Sequence, residues 1–258
     1  MGWGNGFGLL SNDTSRPIHY RFAKRQRHRI NDWIARSSLI PNEPILDASQ
    51  FFWTQKLSQN WAVIRDEALA IYRNRDAIPP LRDISPDHRR LVQDHSWRSF
   101  FLIGYGHHQT ENMARAPRTS ELVGAIPGLN SAFFSILAPG TVIVPHRGVT
   151  KAFYTGHLGL VVPRDTQGLW MRVDKQRIGW REGEWLIFDD TYEHEVRNDT
   201  PDPRIVLLVQ VERPLKAPGK WLAHGLMAYV KRSHFVRDAN ANLQDWEKVY
   251  AAAERRDD

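Results

Sequence analysis

Residues 180–196 read WREGEWLIFDDTYEHEV, and this stretch decides the fold. Glu182-Gly183-Glu184 is a turn signal. Glu184 to Phe188 is a short apolar run of strand length, too brief for a helix of its own. The acidic pair Asp189-Asp190 ends it. His194 follows in a polar stretch, so a histidine stands just past a strand end.

The same texture extends to either side. SAFFSIL (131–137), TVIVPH (141–146), HLGLVV (157–162), LWMRV (169–173) and RIVLLVQV (204–211) are short apolar runs, punctuated by Pro139-Gly140 and Gly168. Five to eight such strands with no helix between them predict an antiparallel sandwich or barrel. Upstream, the spacing of Trp61, Ile64, Ala68, Ile71 and Tyr72 predicts an amphipathic helix over 60–75, ended by Pro79-Pro80. Residues 84–116 read as loop with one strand-like piece, Phe100 to Ile103. Thr119 is a candidate cap for a short helix, TSELVGAI. Downstream, 243–255 predicts helix. The expected organisation is an N-terminal basic helical extension (1–56), a β-core domain (57–215) and a C-terminal helical tail (216–258).

The 258 residues carry 35 basic and 29 acidic side chains, a net charge of +6. That excess favours carboxylates, phosphates or an anionic membrane surface. It is too dispersed for nucleic acid. The cluster RFAKRQRHR at 21–29 fits a solvated helix face or contact with an anionic surface. There is no cysteine. Disulfides, thiolate metal sites and cysteine nucleophiles are excluded, and any transition metal must sit on His, Asp or Glu. No apolar run approaches the ~20 residues of a membrane span. The start MGWGNGFGLL lacks the basic beginning of a signal peptide, and Gly6 stands where a myristoylation signal needs Ser or Thr. Cytoplasmic residence is expected, with peripheral membrane contact through the basic helices as an option.

Eleven histidines are present, and a lone histidine is more often structural than a ligand. His146, His157 and His194 stand out because they fall at strand ends, which converge in space at a barrel mouth. Two imidazoles there suffice to bind a divalent metal and leave positions open. The usual non-haem iron pattern adds a carboxylate as His-x-Asp/Glu, whereas here His146-Arg147-Gly148 has glycine. Spacing alone therefore leaves a metal site and its absence both open. Zinc is disfavoured, since it wants three or four protein ligands. Arg204 is in phase with Val206, Leu208 and Gln210, opposite the apolar face of 205, 207, 209 and 211. Its guanidinium is either a solvated strand end or a bidentate grip for a carboxylate.

In the order and spacing of FFSILAPG, PHRG, HLGLVVP, WREGEWLIFDDTYEHEV and RIVLLVQVERP, the chain resembles the aspartyl/asparaginyl β-hydroxylase family, lipid A hydroxylase-like members included. The likeness runs from about Pro117 to Pro214 and more weakly back to Leu57. It implies a mainly β chain with flanking helices and a double-stranded β-helix core of jelly-roll or cupin type. It implies an Fe(II)- and 2-oxoglutarate-dependent dioxygenase that uses O2 to hydroxylate an unactivated C–H and releases succinate and CO2. The substrate would be a small molecule, a peptide Asp or Asn, or a lipid acyl chain. The family uses two histidines without a carboxylate, which fits Gly148. By resemblance His146 and His194 are the metal ligands and catalytic centre. Arg204 and Ser135 bind the far carboxylate of 2-oxoglutarate, His157 lies near the other carboxylate, and Leu137 neighbours the cosubstrate. Thr155 stands where many members carry arginine, with Arg147 and Lys151 as nearby basic residues. Asp189 and Asp190 are expected to be structural or to orient an imidazole. The competing readings are an iron halogenase that uses the open Gly148 position and a catalytically silent binding module of the same fold.

Overall fold

The computed structural model describes residues 28–257 except 86, 87, 93 and 166. Most of the basic cluster at 21–29, and all of 1–15, lie outside the described residues.

The chain opens with helix α1 (residues 28–36) and a two-residue strand, β1 (Ile45–Leu46). Helices α2 (Trp53–Gln59), α3 (Trp61–Tyr72) and α4 (Leu81–Ile84) follow. Strands β2 (Trp97–Gly104) and β3 (His107–His108) lead to α5 (Thr110–Arg115) and α6 (Pro117–Gly124). Then come β4 (Leu129–Leu137), β5 (Thr141–His146), β6 (Phe153–Val161), β7 (Leu169–Val173), β8 (Gln176–Ile178), β9 (Trp185–Phe188), β10 (His194–Asn198) and β11 (Arg204–Glu212). Two helices close the chain, α7 (Gly219–Lys231) and α8 (His234–Asp257).

The strands form a seven-stranded sheet, β1-β9-β6-β11-β4-β2-β3, and a four-stranded sheet, β5-β10-β7-β8. β11 sits between β6 and β4 and is buried on both faces, which is why RIVLLVQV is almost continuously apolar. Ile205, Leu207 and Val209 pack outward with Phe134 and Ile136 against Leu57, Ile64, Ala68 and Ile71 of α2 and α3. Val206 and Leu137 face the other way, with Phe188, and meet Ile143, Met171 and Val196 of the smaller sheet. The two sheets thus enclose one core, and the helices build a second behind the larger sheet.

Two expectations are corrected here. The chain is not mainly β: helix takes 39% and strand 29% of the described residues. Nor do the strands wrap into a closed double-stranded β-helix of cupin type. Among the described residues no strand of one sheet pairs with a strand of the other, and both sheets are open. A cavity of about 480 Å³ lies beside β8 and β9, lined by Trp170, Arg177, Ile178, Trp180, Trp185 and Leu186. The excess of helix comes from the segments around the strand-rich core, including α5 in a region read as loop. Thr119 lies inside α6 rather than capping it, and its amide and hydroxyl both donate to Glu67 at 2.8 and 2.5 Å.

One irregularity sets the direction of β5. β10 pairs His194 with His146 and Val196 with Ile143, so Val144 and Pro145 together oppose the single residue Glu195. Val144 and Pro145 are both exposed, as an extra residue in a strand should be. Proline lacks the N–H for a ladder bond, and β5 is an edge strand where that loss is tolerated. The Val144 amide leaves the ladder and donates to Leu91 O at 3.1 Å. Side chains alternate along a strand, so His146, three residues after the inward Ile143, would face outward in a regular ladder. Deleting Val144 and Pro145 together would place His146 directly after Ile143 and turn its imidazole away from His194. Zn(II) affinity of the folded variant, measured by calorimetry, should fall by at least about tenfold, the loss seen when ligand orientation fails.

Candidate functional site

Strand pairing brings His146 and His194 opposite one another, with ring centroids 4.0 Å apart and planes tilted by 54°. Each ring is oriented by a backbone carbonyl two residues back. His146 Nδ1 donates to Val144 O at 2.8 Å, and His194 Nδ1 donates to Tyr192 O at 2.9 Å. A carbonyl only accepts, so Nδ1 carries the proton in both rings and each Nε2 presents a lone pair. Burial lowers the pKa of His146. Burial, then the charge of His146, pushes His194 down to about 3. Both imidazoles are therefore neutral at pH 7, the form that binds a divalent metal. Among the described residues no third His, Asp or Glu joins them in a metal-holding cluster.

A line of rings leads away from this pair. Phe188 lies 5.4 Å from His194 and 5.2 Å from His157. Trp180 stacks beyond His157, and the Arg204 guanidinium lies 4.7 Å above the Trp180 ring. Arg204 starts β11 opposite Leu137 of β4 and is 1% exposed. Burial pushes its pKa down to about 9, so it stays charged at neutral pH. Its Nε and one terminal nitrogen have no hydrogen-bond partner, and neither does Nε2 of the buried His157. Unpaired buried donors around a buried cation are costly. A carboxylate is the kind of group that accepts from such donors. Ser135 is buried beside Leu137 on the same face of β4, and its oxygen accepts from Trp97 Nε1 at 3.0 Å. Its own proton remains to donate.

The two aspartates divide their work. Asp189 is fully buried and accepts from Lys151 Nζ and Arg213 at 2.6 Å each, and from the Thr191 amide and hydroxyl at 3.0 and 2.6 Å. It ties the turn before His194 to β11 and to the loop after β5. Neither aspartate orients an imidazole by hydrogen bond; the carbonyls of Val144 and Tyr192 do so. Arg147 reaches toward Glu193 at 3.8 Å and Lys151 is held by Asp189, so neither is aimed at Arg204. Asp190 lies against Gly148. Its carbonyl accepts from the Gly148 amide at 2.7 Å, and a Cβ on residue 148 would overlap its carboxyl group. Thr155 is near enough to this carboxyl to lower its pKa, so it neighbours Asp190 where arginine was the family pattern. Trp180 went unassigned in the sequence. Its signal was a large indole with one N–H to place, in a turn between two strands.

A family model described as aspartyl/asparaginyl beta-hydroxylase matches residues 58–214. The chain belongs to this family. An ornithine lipid ester-linked acyl 2-hydroxylase from Rhizobium tropici is 38% identical over 83% of this chain and 77% of its own length. The aspartyl/asparaginyl beta-hydroxylase of Homo sapiens is 32% identical over 66% of this chain, but only 24% of that longer protein is covered. Among solved structures, a Pseudomonas putida prolyl-4-hydroxylase is similar over 59% of this chain and 86% of its own, at 18% identity and a TM-score of 0.38. That likeness is too slight to carry any argument.

Asp190 gives the site a pH signature. Burial, then the neighbouring Asp189 charge, raises its pKa from the ordinary 3.8 to about 7. Between those values the folded chain holds a proton that the unfolded chain has released, so stability falls as pH rises through this window. Asp190→Asn lacks that slope. The melting temperature of the metal-free variant, relative to the parent, should climb steadily from pH 4 to pH 7.

Proposed function

We propose that the chain is an Fe(II)- and 2-oxoglutarate-dependent hydroxylase, with residues 57–215 as its catalytic unit, flanked among the described residues by the helical segments 28–56 and 216–257. One observation carries the reading. Two neutral imidazoles with free Nε2 lone pairs are linked by a short line of rings to a buried guanidinium with two nitrogens unpaired within the protein. His146 and His194 would hold the iron. When bound with 2-oxoglutarate and O2, iron supplies the oxidation of an unactivated C–H bond, with succinate and CO2 as coproducts. The chain's own groups do the positioning. Burial keeps both ligand nitrogens unprotonated. Arg204 and the Ser135 hydroxyl grip one carboxylate, and the His157 Nε2–H donates beside them. Leu137 and Trp180 keep water from the grip. The Asp190 carboxyl fills the space beside Gly148 that a halide would need, which favours hydroxylation over halogenation.

Purified protein should form succinate from 2-oxoglutarate in the presence of Fe(II) and a substrate, and His146→Ala or His194→Ala should abolish it. Arg204→Met should weaken 2-oxoglutarate binding tens-fold, since a charge-assisted hydrogen bond contributes about 1.5–3 kcal/mol. Full turnover in both histidine variants excludes this site.

The substrate we propose is an acyl chain of a membrane lipid, met from the cytoplasmic face. The Rhizobium relative, named for that chemistry, supports it. A second support is the surface of α7 and α1. Trp221 is 71% and Trp33 56% exposed, with Leu222 and Tyr229 exposed on the same helix as Trp221. Residues 214–237 contain Lys216, Lys220, Lys231, Arg232 and Arg237 and no acidic residue. Exposed tryptophan ringed by lysine and arginine suits the headgroup layer of an anionic bilayer. The α1 residue Ile34 packs with Ala223 of α7, while Asn31 bonds the loop that follows His146 through Val149 O and the Lys151 amide. α1 therefore joins α7 to the loop that leads from His146. No helix among the described residues is long and apolar enough to cross a membrane. The protein should sediment with phosphatidylglycerol vesicles at low salt, and less so with phosphatidylcholine. Trp33→Ser/Trp221→Ser should release it. Absence of binding at low salt removes the membrane surface and leaves the oxygenase reading standing.

A further inference from the structure

Trp180 touches both halves of the anion pocket with one side chain. Its ring is buried in the β8–β9 connection, and it also lines the cavity beside those strands. The ring edge meets His157: Trp180 Nε1 lies 3.2 Å from His157 Nδ1. The ring face carries Arg204, with the guanidinium carbon 4.7 Å from the centroid.

The edge contact has a consequence for the imidazole. An indole N–H donates and has no lone pair with which to accept. His157 Nδ1 must therefore be the bare nitrogen. Burial, reinforced by the Arg204 charge, keeps this imidazole neutral, so it carries one proton in all. That proton sits on Nε2, the buried atom with no partner in the protein. The face contact fixes the plane of a guanidinium whose Nε and one terminal nitrogen are likewise without partners.

We propose that Trp180 is the positioning residue of this pocket: its N–H locks His157 in the Nε2–H form while its ring face holds Arg204, so that both present donors to one anionic ligand. The proposal deepens the hydroxylase reading and rests on it for the identity of that ligand, 2-oxoglutarate. The logic is that of a metal-site histidine fixed by an outer partner, moved to an anion site with the donor and acceptor roles exchanged. Trp180 lines the cavity beside β8 and β9, whereas neither Arg204 nor His157 does.

The test is made on full-length protein loaded with redox-inert Zn(II). In the parent, nitrogen-resolved NMR of ¹⁵N-histidine-labelled protein, with His157→Gln for assignment, should show His157 bare at Nδ1 and protonated at Nε2. Trp180→Phe keeps a ring face but loses the N–H. It should shift His157 toward the other tautomer and weaken 2-oxoglutarate binding about tenfold, the scale of one buried hydrogen bond, with Zn(II) affinity unchanged. A parent protein whose His157 carries its proton on Nδ1 overturns the proposal, whether or not the variant folds. So does a folded Trp180→Phe protein with unaltered tautomer and 2-oxoglutarate affinity. A parent with the Nε2–H form that fails to bind 2-oxoglutarate upholds the positioning role and defeats the cosubstrate assignment instead.

Discussion

One slip of register in an edge strand decides where His146 points. Val144 and Pro145 share a single partner on β10, and that slip carries His146 from the outer face of the small sheet to the inner one. The same irregularity frees the Val144 carbonyl, which then takes the Nδ1–H of the ring it has redirected. Register, ring direction and tautomer follow from one local event. His194 is held by a parallel device, the Tyr192 carbonyl. The turn before it is fixed by Asp189, whose carboxylate gathers Lys151 and Arg213 from two other segments. Breaking a buried pair of this kind typically costs about 3–5 kcal/mol, so the geometry of the two imidazoles is anchored in the stability of the whole sheet.

The electrostatics are arranged by burial rather than by pairing. The imidazoles are desolvated and therefore neutral; Arg204 is desolvated and yet charged. A guanidinium can be weakened by burial without losing its proton at neutral pH, whereas an imidazole cannot keep its own. One dry region thereby contains lone pairs at one end and unmet donors at the other. β11 accommodates the charge because Arg204 is its first residue, where the apolar packing of the strand has just begun.

Much of this was legible in the sequence. The α3 helix lies where the spacing of Ile64, Ala68 and Ile71 placed it, because a 3.6-residue period has one physical solution. The phase of Arg204 against Ile205 and Leu207 likewise gave its face, because strands alternate strictly. The slip at Val144–Pro145 was not read, although a proline inside a strand is a mark of such an event. Sheet closure could not be read, because each strand's pattern records which face is buried and not which strand lies beside it. Helix content was underestimated because segments such as α5 are polar and short of apolar period, and tertiary contacts hold them, such as Asn112 donating to Phe101 O. Trp180 escaped because its role depends on two residues remote in sequence.

The contact between Gly148 and Asp190 constrains how such a chain can change through descent. A side chain at 148 has no room while the Asp190 carboxyl lies there. A lineage that gains an acidic residue two places after His146 must also displace the Asp190 carboxyl, since the newcomer would collide with an acid already present. The two sites are coupled, and the passage between a two-histidine centre and one with a third, carboxylate ligand involves both.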